Sequence, residues 1–163
     1  LLESYPGLRF LTPCLNEERG AQIRSAMGGL PVEILVGGMH EVLGRARCCL
    51  VASGTATLET ALFEVPMCIV YRVNALSYWL ARLLVRIRFI GLVNILLNRE
   101  VVPELIQHDA VAAKIVPVMR ELIEDTETRR LMLLNLQEVK RRLGPPGASE
   151  RAAAEILDLI NGH

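Results

Sequence analysis

Val51-Ala52-Ser53-Gly54-Thr55-Ala56-Thr57-Leu58-Glu59 sets the fold of this chain. A buried-type apolar run ends in small residues, and a helical segment follows. That strand-turn-helix junction belongs to α/β proteins. At the carboxyl edge of a parallel sheet it presents free backbone N–H groups and the positive end of a helix dipole, which together bind phosphate. Gly54 lets a ligand come close, and Ser53 and Thr55 add hydroxyl donors. Glu59 lies one turn past Thr55 on the same face, where a carboxylate can accept hydrogen bonds from a ribose diol. A simpler reading has Ser53 as a helix cap and Glu59 as a solvated side chain. The spacing alone does not separate the two.

Outward from this junction, apolar runs alternate with helix-period runs. Residues 8–11 read as a strand, 16–27 as a helix ended by Gly28-Gly29, 32–36 as a strand closed by Gly37-Gly38, and 40–46 as a short helix. The third strand is 48–52, and the helix after Ser53-Gly54 stops before Pro66, ahead of a fourth strand at 67–71. This βαβαβαβ order predicts an α/β fold: a Rossmann-like parallel sheet of about four to five strands flanked by helices. The second half reads as helical. Asp109 can cap a helix to Ile123. Asp125 or Thr126 can cap another that ends in Lys140-Arg141-Arg142 before Gly144, where cations suit the negative end of the dipole. Pro145-Pro146-Gly147 breaks the chain, and Ser149 opens a last amphipathic helix to Ile160. The chain therefore divides into residues 1–108, a sheet domain, and 109–163, helices that cover the sheet, a further domain or a partner chain.

Composition narrows the function classes. With 163 residues, 52% hydrophobic and only 4% aromatic, the core is built from Leu, Ile, Val and Ala, and disorder is excluded. Lys+Arg and Asp+Glu both total 18, so no overall field draws the chain to nucleic acid. Cys14, Cys48, Cys49 and Cys68 have no zinc spacing and read as buried free thiols of a reducing cytoplasm. The start at Leu1, with neither Met nor a signal peptide, suggests a piece of a longer protein. The apolar stretch 75–97 contains Arg82, Arg86 and Arg88. Each arginine at bilayer depth costs on the order of 3 kcal/mol, so the stretch is not a membrane span.

Within it, residues 74–89 form an amphipathic pattern with Tyr78-Trp79 near its start. The pattern suits either a core-facing stripe or a helix resting on an anionic membrane surface. His40, His108 and His163 have no metal-ligand spacing, and there is no Walker A loop, Gly-x-Gly-x-x-Gly or nucleophile elbow.

The run Ser53-Gly54-Thr55-Ala56-Thr57-Leu58-Glu59 is followed by Pro66-Met67, Tyr71-Arg72-Val73-Asn74, Asn94, Arg99-Glu100 and Pro103-Glu104-Leu105-Ile106-Gln107. In order and spacing this set resembles the C-terminal portion of the lipid-A-disaccharide synthase family, glycosyltransferase family 19. The resemblance implies half of a GT-B glycosyltransferase, the half that binds a nucleotide-sugar donor. The reaction it implies is inverting transfer of 2,3-diacylglucosamine from UDP-2,3-diacylglucosamine to lipid X, giving a β-1,6 disaccharide and UDP, with no metal or other cofactor. It also implies a cytoplasmic enzyme peripheral to the inner membrane, with a homodimer as one form.

By position, Ser53, Gly54 and Thr55 would hold the diphosphate and Glu59 the ribose. Asn94 and Arg99 would position the donor and stabilise charge on the departing phosphate. Glu100 and Gln107 would line the cleft, with Tyr71 and Arg72 as further contacts at the end of the fourth strand. The family's Leu-Pro-Asn is Leu92-Val93-Asn94 here, and its Ala-Gly before the arginine is Leu97-Asn98. The family's Pro-Gly-Ser-Arg loop and its acceptor half, source of the general base, would lie upstream of Leu1. The same Ser-Gly and Glu element also suits another GT-B transferase or epimerase of UDP-N-acetylglucosamine, or a nucleotide-binding or dimerisation module without activity.

Overall fold

The computed structural model describes residues 1–73, 88–145 and 147–161. Its order is β1 (Phe10–Cys14), α1 (Glu17–Met27), β2 (Val32–Val36), α2 (Met39–Arg45), β3 (Cys49–Ala52), α3 (Ala56–Leu62) and β4 (Met67–Tyr71), then α4 (Leu92–Leu97) and β5 (Glu104–Ile106). A 3-10 turn, Gln107–Asp109, leads to α5 (Ala112–Ile123), α6 (Glu127–Leu143) and α7 (Ala148–Asn161). The chain is thus α/β, with parallel strands, flanking helices and a helical C-terminal region.

Local chemistry explains most boundaries. Asn16 caps α1 by accepting from the Arg19 amide at 3.0 Å, and Gly28 ends it in the left-handed conformation at φ 57. Thr126 rather than Asp125 caps α6, accepting from the Arg129 amide at 3.1 Å; Asp125 instead pairs with Arg47 at 2.6 Å. Asp109 does not cap α5. Gln107 takes φ 53 and starts the 3-10 turn, so the helix begins after Val111, and Asp109 pairs with Lys114 instead. The first strand runs on through Pro13 because it pairs residue for residue with β2, Phe10 opposite Val32 to Cys14 opposite Val36. A proline is tolerated there because, among the described residues, β1 is paired on one side only.

Among the described residues all pairings are parallel, but they form two groups, β1 with β2 and β3-β4-β5. Helix α2, which leads from β2 to β3, packs against β1.

The continuous core belongs to the second group. Met67, Ile69, Val93, Val102, Leu122, Leu136 and Val139 are fully buried, joining β4, α4, α5 and α6 in one cluster. No residue of β1 or β2 reaches full burial. The end of α5 is pinned by Arg47, which donates to the Ile123 carbonyl, and by Arg129, which donates to the Leu122 carbonyl. Helix α7 holds Ile156, Leu157, Leu159 and Ile160 in solvent. Apart from Arg88 and Phe89, the amphipathic 74–89 pattern lies outside the described residues. Among the described residues no helix is long and apolar enough to cross a membrane.

Candidate nucleotide site

The register Val51 to Ile69 to Glu104 aligns β3, β4 and β5, so the residues that follow each strand meet at one carboxyl edge. Ser53-Gly54-Thr55, Tyr71-Arg72 and Gln107 all lie there. Gly54 takes φ 153, a conformation that side chains rarely adopt, although a Cβ would meet nothing within 4 Å. Conformation, not space, requires the glycine. The Thr57 hydroxyl and amide both donate to the Gly54 carbonyl, at 2.7 and 3.1 Å, which closes the turn into α3. Among the described residues the amides of Gly54, Thr55 and Ala56 donate to no acceptor, and Thr55, the cap residue, makes no side-chain cap bond. Three main-chain donors and an uncommitted hydroxyl are therefore presented together at the mouth of a helix.

Ser53 neither caps α3 nor stands free. Its hydroxyl donates to the Ile90 carbonyl at 3.0 Å, tying the turn to the segment that precedes α4. Glu59 is half-exposed on α3, and its carboxylate has no hydrogen bond or ion pair among the described residues. Tyr71 and Arg72 are exposed at the end of β4. Gln107 is committed to the backbone, accepting from the Val73 amide at 2.9 Å and donating to the Val73 carbonyl at 3.1 Å. It holds the chain as it leaves the edge.

The remaining sequence-predicted residues fall elsewhere. Asn94 is wholly buried. Its amide group donates to the Val102 carbonyl at 2.8 Å and to Glu104 at 2.7 Å, and its oxygen accepts from the amides of Val101 and Val102 at 2.8 and 3.1 Å. Those four bonds use its whole hydrogen-bonding capacity inside the protein, so the side chain faces the core rather than a cleft. Arg99 and Glu100 come before β5 and therefore stand at its amino end, away from the Ser53 turn. Arg99 bonds Asn135 at 2.9 Å and Glu138 at 2.8 Å on α6, and this hydrogen bond holds the Glu138 carboxyl below the usual carboxylate range. Glu100 lies on an open groove of about 370 Å³ with Pro103, Val118, Leu131 and Asn135. That groove is separate from the turn.

Both departures from the family pattern are physically conservative. Asn98 takes the left-handed conformation at φ 52 that ends α4, and asparagine is the non-glycine residue best suited to it. Val93 is the second residue of α4, in the first turn, where a proline's missing N–H would cost nothing.

Sequence reasoning missed Glu104. Its Oε2 accepts from the Ile90 amide and its Oε1 from the Gly91 amide, both at 2.9 Å, besides the bond from Asn94. A Cβ at Gly91 would lie 2.3 Å from Ile69 Cδ1, so only glycine passes there unhindered. The signal was a lone carboxylate within an otherwise apolar three-residue strand.

Parallel strands flanked by helices, with unpaired amides at a carboxyl-edge turn, define an α/β protein. A family model described as "Lipid-A-disaccharide synthetase" matches residues 1–155. The chain belongs to the lipid-A-disaccharide synthetase family. It is 36% identical over 162 residues to the lipid-A-disaccharide synthase of Pseudomonas putida strain F1, covering 98% of this chain and 42% of that protein. Similarity to the enzyme of the same name from Myxococcus xanthus is 39% over 157 residues, covering 95% and 41%. For Saccharophagus degradans it is 37% over 158 residues, covering 95% and 40%. The chain thus spans about two fifths of the length of the curated relatives it matches.

Proposed function

We propose that this chain is the donor-binding, C-terminal portion of a glycosyltransferase that moves a 2,3-diacylglucosaminyl group from UDP to lipid X, forming the β-1,6 disaccharide of lipid A and releasing UDP. The observation that carries the reading is the set of uncommitted amides at residues 54–56, with an unpartnered Glu59 one turn further on, in a chain of this family. In this scheme the amides and the Thr55 hydroxyl hold the diphosphate, and Glu59 accepts from the ribose. As the sugar leaves, negative charge grows on the β-phosphate, and preorganised N–H groups stabilise it without rearranging. Arg72 is a cation at this edge, and Tyr71 stands beside it.

Asn94 and Gln107 contribute by holding backbone, and Arg99 by holding α6 against the turn before β5. Residues 1–108 would form the nucleotide-binding unit, with 109–163 covering it. The acceptor site and general base would come from another part of the full-length protein, which would work at the cytoplasmic membrane surface and associate as a homodimer.

Two measurements test the proposal. Calorimetry on the full-length protein should detect UDP, with affinity lowered about tenfold or more in Glu59→Ala, in keeping with a lost charge-assisted hydrogen bond. Turnover should require both acylated sugars. Equal turnover of unacylated UDP-N-acetylglucosamine would reassign the enzyme to another sugar transfer.

A further inference from the structure

The family match leaves Glu104 without a role, yet it has the most organised surroundings of any carboxylate among the described residues. It sits on β5 level with Ile69 of β4 and Val51 of β3, a place where a parallel sheet ordinarily carries an apolar side chain. Three N–H donors compensate it: two consecutive main-chain amides, Ile90 and Gly91, and the Asn94 side chain.

The second of those amides matters most. The Gly91 N–H and the Ile90 C=O belong to one peptide unit, which is planar and rigid, with its N–H and C=O pointing in opposite directions. Glu104 grips the N–H end at 2.9 Å, and the Ser53 hydroxyl donates to the C=O end at 3.0 Å. A carboxylate on the N–H side polarises the unit and strengthens the carbonyl as an acceptor. Ser53 precedes Gly54, so the direction in which the Gly54, Thr55 and Ala56 amides point depends on where this hydroxyl is tethered.

We propose that Glu104 is a positioning residue for the nucleotide turn, acting through the Ile90-Gly91 peptide on Ser53. The inference rests on the donor-site reading above. It assigns Ser53 a different part: its proton is spent on the frame, so the phosphate is met by main chain and Thr55. It also explains the bare glycine at 91, since a side chain there would displace Ile69 or the Glu104 carboxylate.

The test uses the full-length protein with Glu104→Gln, Ser53→Ala and the double variant. UDP affinity is measured by calorimetry well below each variant's unfolding temperature, and amide exchange is measured at residues 54–56 and 91. Each single change should weaken UDP about tenfold, and the double variant should be no more than about twofold worse than either, because both cut one linkage. Exchange at 54–56 should rise in Glu104→Gln without any ligand. A purely structural Glu104 would lower the unfolding temperature and leave UDP affinity unchanged, and that result overturns the proposal. So do losses that multiply in the double variant.

If wild-type protein fails to bind UDP while Glu104→Gln still loosens 54–56, the positioning claim holds and the donor-site reading falls. If Glu104→Gln does not fold, Ser53→Ala decides. Faster exchange at Gly91 in that variant supports the linkage, and unchanged exchange there overturns it.

Discussion

The two strand groups of this chain are built from similar residues and stabilised very differently. β3, β4 and β5 lie under α3, α4, α5 and α6, and share a continuous buried cluster from Val51 to Val139. β1 and β2 pair over five residues each, yet none of their side chains is fully buried. Hydrogen-bond pairing alone contributes little net stability, because water competes for the same groups; burial decides. The candidate site grows from the well-packed group, which suits a turn whose amides must keep their direction.

The largest expected effect sets that contrast directly. Leu136, wholly buried on α6, should cost about 3–5 kcal/mol on truncation to Ala, against less than about 1.5 kcal/mol for half-exposed Leu11 on β1, by urea unfolding. Equal losses would dissolve the distinction. Asn94→Ala should follow at about 2–4 kcal/mol, since it strips partners from the Val101 and Val102 amides and the Val102 carbonyl in the core. A loss under about 0.5 kcal/mol would mean that these groups find other partners.

Hydrogen exchange should then show β1 and β2 amides opening at about 2 kcal/mol less free energy than those of β4. Uniform protection would make the chain a single cooperative unit. Thr126→Ala removes the α6 cap and should lower stability by about 1 kcal/mol in the same unfolding assay.

The smallest effect is confined to alkaline solution. Burial pushes the Cys49 and Cys68 thiols up to about 11 from 9.0. A raised pKa means that the folded state favours the neutral thiol. This contribution is fully present below the unfolded value near 9 and is lost as pH rises from there towards 11. Stability should therefore drop over that window in an alkaline denaturation series. At pH 8 both thiols should alkylate about a hundredfold more slowly than a free cysteine, from the thiolate fraction alone.

How much of this was legible beforehand follows from where the signals reside. Period and punctuation are local, so the alternation of strands and helices, the Asn16 cap, the Gly28 stop and the Thr126 option could be read from neighbouring residues. β5 gave no comparable signal: it has three residues, one of them charged, directly after Pro103. The division into two strand groups depends on which strands pair over long range, which no short window contains. At the site, the turn at 53–55 and Glu59 could be placed from the junction motif. The parts played by Ser53, Asn94, Gln107 and Glu104 could not. Each is set by a partner well removed in sequence: Ile90, Val102, Val73 and Gly91. An amide side chain in a motif looks the same whether it greets a ligand or props up a loop.

The division into two strand groups also bears on how the chain behaves in a tube. Among the described residues β3 is paired on one side only, and it carries Leu50, an apolar side chain 48% exposed. Such a margin templates the growth of any extended polypeptide that meets it, its own kind included. Self-association at high concentration is then the expected failure of this chain, and a lysine at position 50 is the simplest preservative.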